Sequence, residues 1–206
     1  MTKSKLMQLS FVAAVVVVSG CSKSSEEPMA AASQGDEASP QEQRGLSDGQ
    51  IIQVLSTVDT GEIQQAQIAL TKATTPQVRN FASDMIEQHT KSKQMGASIA
   101  SQNSLALRPS PTSDKLQEKG TQMLEKLQKT DTRDFDTVYM KGQVDQHDEV
   151  LKMLDDKLIP AASSVQVKQQ LTEARNMVQH HLTHAGQLRD TLGATGVQGA
   201  TGMQEK

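Results

Sequence analysis

The stretch "ALTKATTPQVRNFASDMIEQH" (residues 69–89) contains the end of one helix and the start of the next. Ala69 closes a series at helical spacing, Ile52, Leu55, Val58, Glu62, Ala66 and Ala69. The helix they predict ends near Ala73. Thr75-Pro76 then supplies a capping hydroxyl and a residue whose fixed φ suits the first helical position. Beyond it, Val78, Phe81, Ala82, Met85, Ile86 and His89 recur on one face, and the second helix is expected to reach about Gln102. Two amphipathic helices joined by so short a turn must fold back on each other as an antiparallel hairpin.

The pattern repeats outward from this hairpin. Ser47 and Gln50 fit a capping box at the start of the first helix. "RPSPTSD" (108–114) breaks the chain, and a short amphipathic helix is expected over about 115–128, through Leu116, Met123, Leu124 and Leu127. A long helix follows from about Asp134 to Leu158, with Phe135, Tyr139, Gly142, Gln143, His147, Leu151, Leu154 and Leu158 on one face and Pro160 ending it. Ser163 or Ser164 opens the last helix, and Gly193 is expected to stop it. Two antiparallel hairpins with a long connection predict an all-α four-helix bundle over 46–192, with a short extra helix in the connection. That length is ample for a single core.

The ends have a different composition. Lys3 and Lys5 precede an apolar run, Phe11 to Val18, and small residues lead to Cys21, the single cysteine. This describes a signal peptide over 1–20. The run falls short of the ~20 apolar residues that span a bilayer. Ser19-Gly20-Cys21 resembles a bacterial lipobox, in which cleavage leaves Cys21 as the acylated first residue and holds the protein to the membrane by its lipid. Ser22, rather than Asp, follows; the resemblance then implies the outer membrane, facing the periplasm. With Cys21 acylated no disulfide can form, so the fold depends on its core. Residues 21–45 carry two basic and five acidic side chains among Ser, Ala, Gln and Pro, and are expected to be a disordered tether. Residues 193–206, "GATGVQGATGMQEK", read as a disordered tail.

One feature of the helices is chemical. The last helix carries a seam of Val167, Leu171, Ala174, Val178, His181, Ala185, Leu188 and Leu192, apolar or small except for His181. His180 lies about 100° away on the helix and is expected in solvent, while His184 lies nearer the edge of the stripe. "GEIQQ" (61–65) weakly matches "GQVDQ" (142–146), and "MIEQH" (85–89) matches "MVQHH" (177–181). Counted from the turns, Glu62 and His89 fall within ~3–5 Å of one depth, as do Gln143 and His181. His147 is one turn from Gln143 on the same face.

The segments "GEIQQAQIALTKATTPQVRNFASDMIEQHTK" (61–91) and "FDTVYMKGQVDQHDEVLKML" (135–154), with His181 on a late helix, resemble the bacterial domain-of-unknown-function family numbered 4142. The resemblance covers about 47–190. Glu62, Phe81, Ala82, Met85, His89, Tyr139, Gln143, His147 and His181 match its pattern; the acidic residue usual before the helix-two histidine is Gln88 here. The resemblance implies a ferritin-like bundle and a predicted outer-membrane protein, and it implies no activity.

Two readings of the polar positions stand side by side. In one, Glu62, His89, His147 and His181 are ligands of a single zinc, iron or copper ion, with Gln143 and His184 in the surrounding polar layer. Two irons would need more carboxylates, and no Glu-x-x-His occurs. In the other, Glu62 accepts from His89 and Gln143 from His181, and the layer fixes helix register. The scattered methionines fit core filling. There is no Gly-rich phosphate loop, nucleophile elbow or cysteine nucleophile. The absence of a basic excess, and only Phe81, Phe135 and Tyr139 as aromatic side chains in the domain, argue against nucleic acid as a partner. The expected role is a membrane-anchored envelope interaction or homeostasis protein with an envelope protein as partner, and metal binding or ferritin-like oxidoreductase chemistry is the alternative.

Overall fold

Each helix begins where the chain supplies a cap. In the computed structural model, which describes residues 45–201 with side chains to residue 194, α1 spans Asp48–Lys72, α2 Pro76–Gln102, α3 Pro111–Lys129, α4 Thr132–Met153 and α5 Val165–Thr201. A π turn, Leu154–Leu158, and a short helical turn, Ile159–Ala161, follow α4. No strand occurs among the described residues, and no helix there is long and apolar enough to cross a membrane. The leader, Cys21 and residues 21–44 of the tether lie outside the described residues, as do 202–206.

The Ser47 hydroxyl accepts from the Gln50 amide at 3.3 Å, and Gln50 Oε1 accepts from the Ser47 amide at 3.1 Å, closing the capping box. Thr75 Oγ1 accepts from the Val78 amide, with Pro76 at the first helical position. Three boundaries differ from expectation. α3 starts at Pro111 rather than near 115, because Ser110-Pro111 is the same hydroxyl–proline opening as Thr75-Pro76. Pro160 does not end α4 abruptly: the Ile159 amide bonds to the Leu154 carbonyl, a widened turn that absorbs the proline and carries helix to Ala161. α5 passes Gly193 and continues to Thr201, taking in Gly193, Gly196 and Gly199, each of which costs about 1 kcal/mol against alanine inside a helix.

The helices pack so that α1 lies against α2 and α4, and α5 against α4 and α2. Every such pair is antiparallel. Lys72 sits 5.5 Å over the Phe135 ring at one end of the α1–α4 pair, and Asp48 meets Ser163 at the other. Gln88 contacts His181, and Gln170 contacts Ser92, between α2 and α5. α3, in the long connection, packs on α1 and α4. Gly142 of α4 lets α3 come close, because a Cβ there would stand 2.0 Å from the Met123 methyl.

Each hairpin turn is clamped by an aspartate of the other hairpin. Asp136 of α4 accepts from the amides of Thr74 and Thr75, at 2.9 and 2.8 Å, and from the Thr74 hydroxyl. Asp48 of α1 accepts from the amides of Ser163 and Ser164 at 2.8 and 2.9 Å. These anionic clamps satisfy amides that the turns would otherwise leave without partners, and they tie the hairpins at both ends.

Two apolar cores result. One holds Ile51, Ile52, Leu55, Leu154, Leu158, Val167, Leu171 and Val178; the other holds Ala66, Ala69, Phe81, Met85, Phe135, Tyr139 and Ala185. Between them lies a buried polar level to which all four packed helices contribute: Asp59, Glu62, Gln65, His89, Gln143, His147 and His181.

Candidate metal centre

The polar level is built from helical register. On α1, steps of three and four residues from Ile52 run through Leu55, Asp59, Glu62, Ala66 and Ala69, all buried. His89 continues the Val78–Phe81–Ala82–Met85 face of α2, and His147 lies one turn below Gln143 on α4. His181 replaces an apolar residue in the α5 seam and is 2% exposed.

His89, His147 and His181 each offer a ring nitrogen, and the three nitrogens lie within 4.8 Å of one another. The ring centroids are 5.2–5.9 Å apart. The other nitrogen of each ring faces an oxygen: His89 Nδ1 is 2.8 Å from Asp59 Oδ1, His147 Nδ1 donates to the Gln143 carbonyl at 2.8 Å, and His181 Nε2 donates to Gln88 Oε1 at 3.1 Å. A carbonyl, an amide oxygen and a carboxylate can only accept, so the tautomers are set. The lone pairs then belong to His89 Nε2, His147 Nε2 and His181 Nδ1. All three atoms are buried without a hydrogen-bond partner. Burial without a partner is costly, and three lone pairs on rings whose nitrogens lie within 4.8 Å of one another suit a cation.

The electrostatics agree with that chemistry. Burial lowers the proton affinity of His147, opposed by the nearby Glu62 charge and reinforced by His89. Burial also pulls His181 down to about 2, helped by the neighbouring histidines. Both rings therefore stay neutral, the form that ligates metal. Asp59 is held above its ordinary value by burial, against the lowering effect of His89 and Ser92. Tyr139, deeply buried, is pushed well above its ordinary value by burial and by Glu62.

A stability prediction follows for the metal-free chain. The folded values of His147 and His181 lie below the unfolded value of about 6.5, so the folded state binds fewer protons below it. Their stabilising contribution is complete above pH ~6.5 and falls as the medium is acidified, by up to about 1.4 kcal/mol per pH unit for each ring held neutral. Asp59 acts in the opposite sense as pH drops through its raised value. Urea midpoints of the chelated protein should fall between pH 7 and 5; a flat profile would show that the two rings protonate freely in the fold.

The expected site residues divide into two groups. The three histidines come together. Glu62, 3% exposed, stands outside the cluster and accepts from Gln143 Nε2 at 3.0 Å. Gln143 also bonds Gln65 and does not meet His181, and His89 pairs with Asp59 rather than Glu62. Both differences arise because α1 presents Asp59, one position from Val58, at the level of His89. His184 is half-buried with its ring 5.4 Å from Phe81, away from the three-ring cluster, and His180 is exposed. Gln88, at the position where the resembled family's pattern usually has an acidic residue, serves through its amide oxygen. Asp59 was the residue missed. The sequence signal for it is the three-four stepping of α1, which Asp59 fits and Val58 does not.

A family model described as Domain of unknown function (DUF4142) matches residues 30–188, a span that begins inside the expected tether. No curated protein and no solved structure matches the chain.

Proposed function

The chain belongs to the DUF4142 family, and we propose that its helical bundle binds one transition-metal ion through His89, His147 and His181. The observation carrying this reading is the set of three converging, buried, unpartnered imidazole nitrogens whose opposite nitrogens are each held by an oxygen. Outer oxygens that orient ligating imidazoles accompany metal sites generally. Zinc, copper or iron in the divalent state suits imidazole donors, and three protein ligands leave one coordination position open. Bonds of about 2.0–2.1 Å would draw the three nitrogens somewhat closer together than the 4.8 Å bound. Asp59 and Glu62, outside the three nitrogens, would balance the added charge. A ferritin-like four-helix arrangement accords with the antiparallel hairpins and the helix in their long connection, but this donor set is too poor in carboxylate for two irons.

The bundle would be tethered to the outer membrane, facing the periplasm, by an acylated Cys21, as the lipobox-like Ser19-Gly20-Cys21 suggests. Interaction with an envelope protein is the second reading and is supported by that anchor and tether alone. Elemental analysis of the tag-free chain tests the metal reading: close to one zinc, copper or iron per chain is expected. Clean apo-protein that takes up none of the three would end it. Fractionation of Cys21→Ser should move the protein out of the membrane fraction; retention with normal processing would remove the anchor.

A further inference from the structure

The three imidazoles are sealed between two apolar cores, so an ion needs a way in. On the outside, between α1 and α3, runs a polar groove of about 480 Å³ lined by side chains such as Gln53, Thr60, Gln64 and Gln117. Deeper, between α1, α3 and α4, lies a cavity of about 40 Å³, room for water. Its wall includes the buried side chains Glu62 and Gln65, and the Lys119–Glu149 ion pair crosses from α3 to α4 beside it. Thr57, Gly61, Leu116 and Gly120 line both spaces. The groove and the cavity therefore share a stretch of wall that holds a glycine on α1 and a glycine on α3. At neither glycine would an added Cβ meet any atom within 4 Å. Glycine is a poor helix residue, and here it leaves open space between the groove and the cavity.

The inner wall of the cavity holds Glu62, which is linked through Gln143 to the backbone side of the His147 ring. Glu62 accepts from Gln143, and the carbonyl of Gln143 holds His147 Nδ1. The Glu62 charge raises the affinity of His147 for a proton, so a cation at His147 is favoured by it as well. We propose that the open space between Gly61 and Gly120 forms a neck from groove to cavity and is the inlet for a hydrated divalent cation, and that Glu62 at its inner end is the carboxylate that passes the cation to His147. This inference rests on the three-imidazole reading. Glu62 is then a transit residue rather than a resident ligand, which accounts for a charged carboxylate lining the cavity while standing outside the cluster.

Stopped-flow uptake of zinc by the metal-stripped full chain, read through a chromogenic chelator, tests it. Leucine at the neck should slow association and dissociation together: Gly120→Leu and Gly61→Leu are each expected to reduce the association rate by about tenfold or more, with the equilibrium dissociation constant kept within about threefold. Gly120→Ala, which favours the helix, should slow uptake less and keeps the test valid if a leucine variant misfolds. Glu62→Gln should slow association as well, while Gly186→Ala on α5, also facing open space, should change nothing. Wild-type uptake rates in Gly120→Leu, Gly61→Leu and Gly120→Ala would overturn the inlet and leave the three-imidazole site standing. A wild-type chain that takes up no zinc would overturn both.

Discussion

Replacing any one of His89, His147 and His181 by alanine is expected to abolish stoichiometric metal. Two imidazoles do not hold a divalent ion against a chelator as three do, and the loss should exceed the 10–100-fold typical of removing an outer partner. His147→Ala is the cleanest case, because His147 Nδ1 meets only the backbone carbonyl of Gln143 and its removal strands no carboxylate. His180→Ala, on the exposed face, should retain metal and shift stability by less than about 0.5 kcal/mol. Chemical denaturation with and without chelator separates binding from packing. A stability loss in His181→Ala that appears only in the metal-loaded protein marks a ligand. An equal loss of about 1–3 kcal/mol in both states marks a structural polar layer instead.

The second large effect belongs to Asp59, and its two parts have opposite signs. Burial holds the Asp59 carboxyl above its ordinary value, so an ionised Asp59 costs the metal-free fold free energy at neutral pH. Asp59→Asn keeps the shape and an oxygen that can accept from His89 Nδ1, and it removes the charge. The metal-free variant should therefore be more stable than the wild type near pH 7, while its metal affinity should fall by about tenfold. Asp59→Ala also removes the acceptor that orients the ring and should fall by about 100-fold. Zinc competition titrations and urea midpoints on the same samples measure both parts. An Asn variant with unchanged affinity and lower metal-free stability would reduce Asp59 to a structural hydrogen-bond partner.

Caps, turns and apolar stepping are governed by neighbours a few residues away, so the linear chain already contains them. Ser47 with Gln50, Thr75-Pro76 and the α5 seam from Val167 to Ala185 stand in the fold where spacing puts them. The same local logic applies to Ser110-Pro111, although the surrounding turn residues hid it. The depth of the three histidines was legible too, because helical rise converts sequence offset from a turn into height along the bundle.

Which side chains meet at that depth was decided by tertiary structure. Hydrogen-bond partners are selected by the rotation of each helix and the gap between helices, and neighbouring residues on one helix point about 100° apart. Spacing alone therefore left Val58 and Asp59 in competition for one level of α1; packing against α2 places Asp59 on His89 and leaves Val58 half-buried. The same rotation gives Glu62 to Gln143 and Gln88 to His181. The sequence by itself determined the helices, the hairpins and the level of the polar groups, through forces that act within a turn or two. The three-imidazole cluster, its oxygen partners and the wall that Gly61 and Gly120 give to both groove and cavity exist only once four helices and α3 have settled at fixed distances, since no local interaction specifies a contact between residues tens of positions apart.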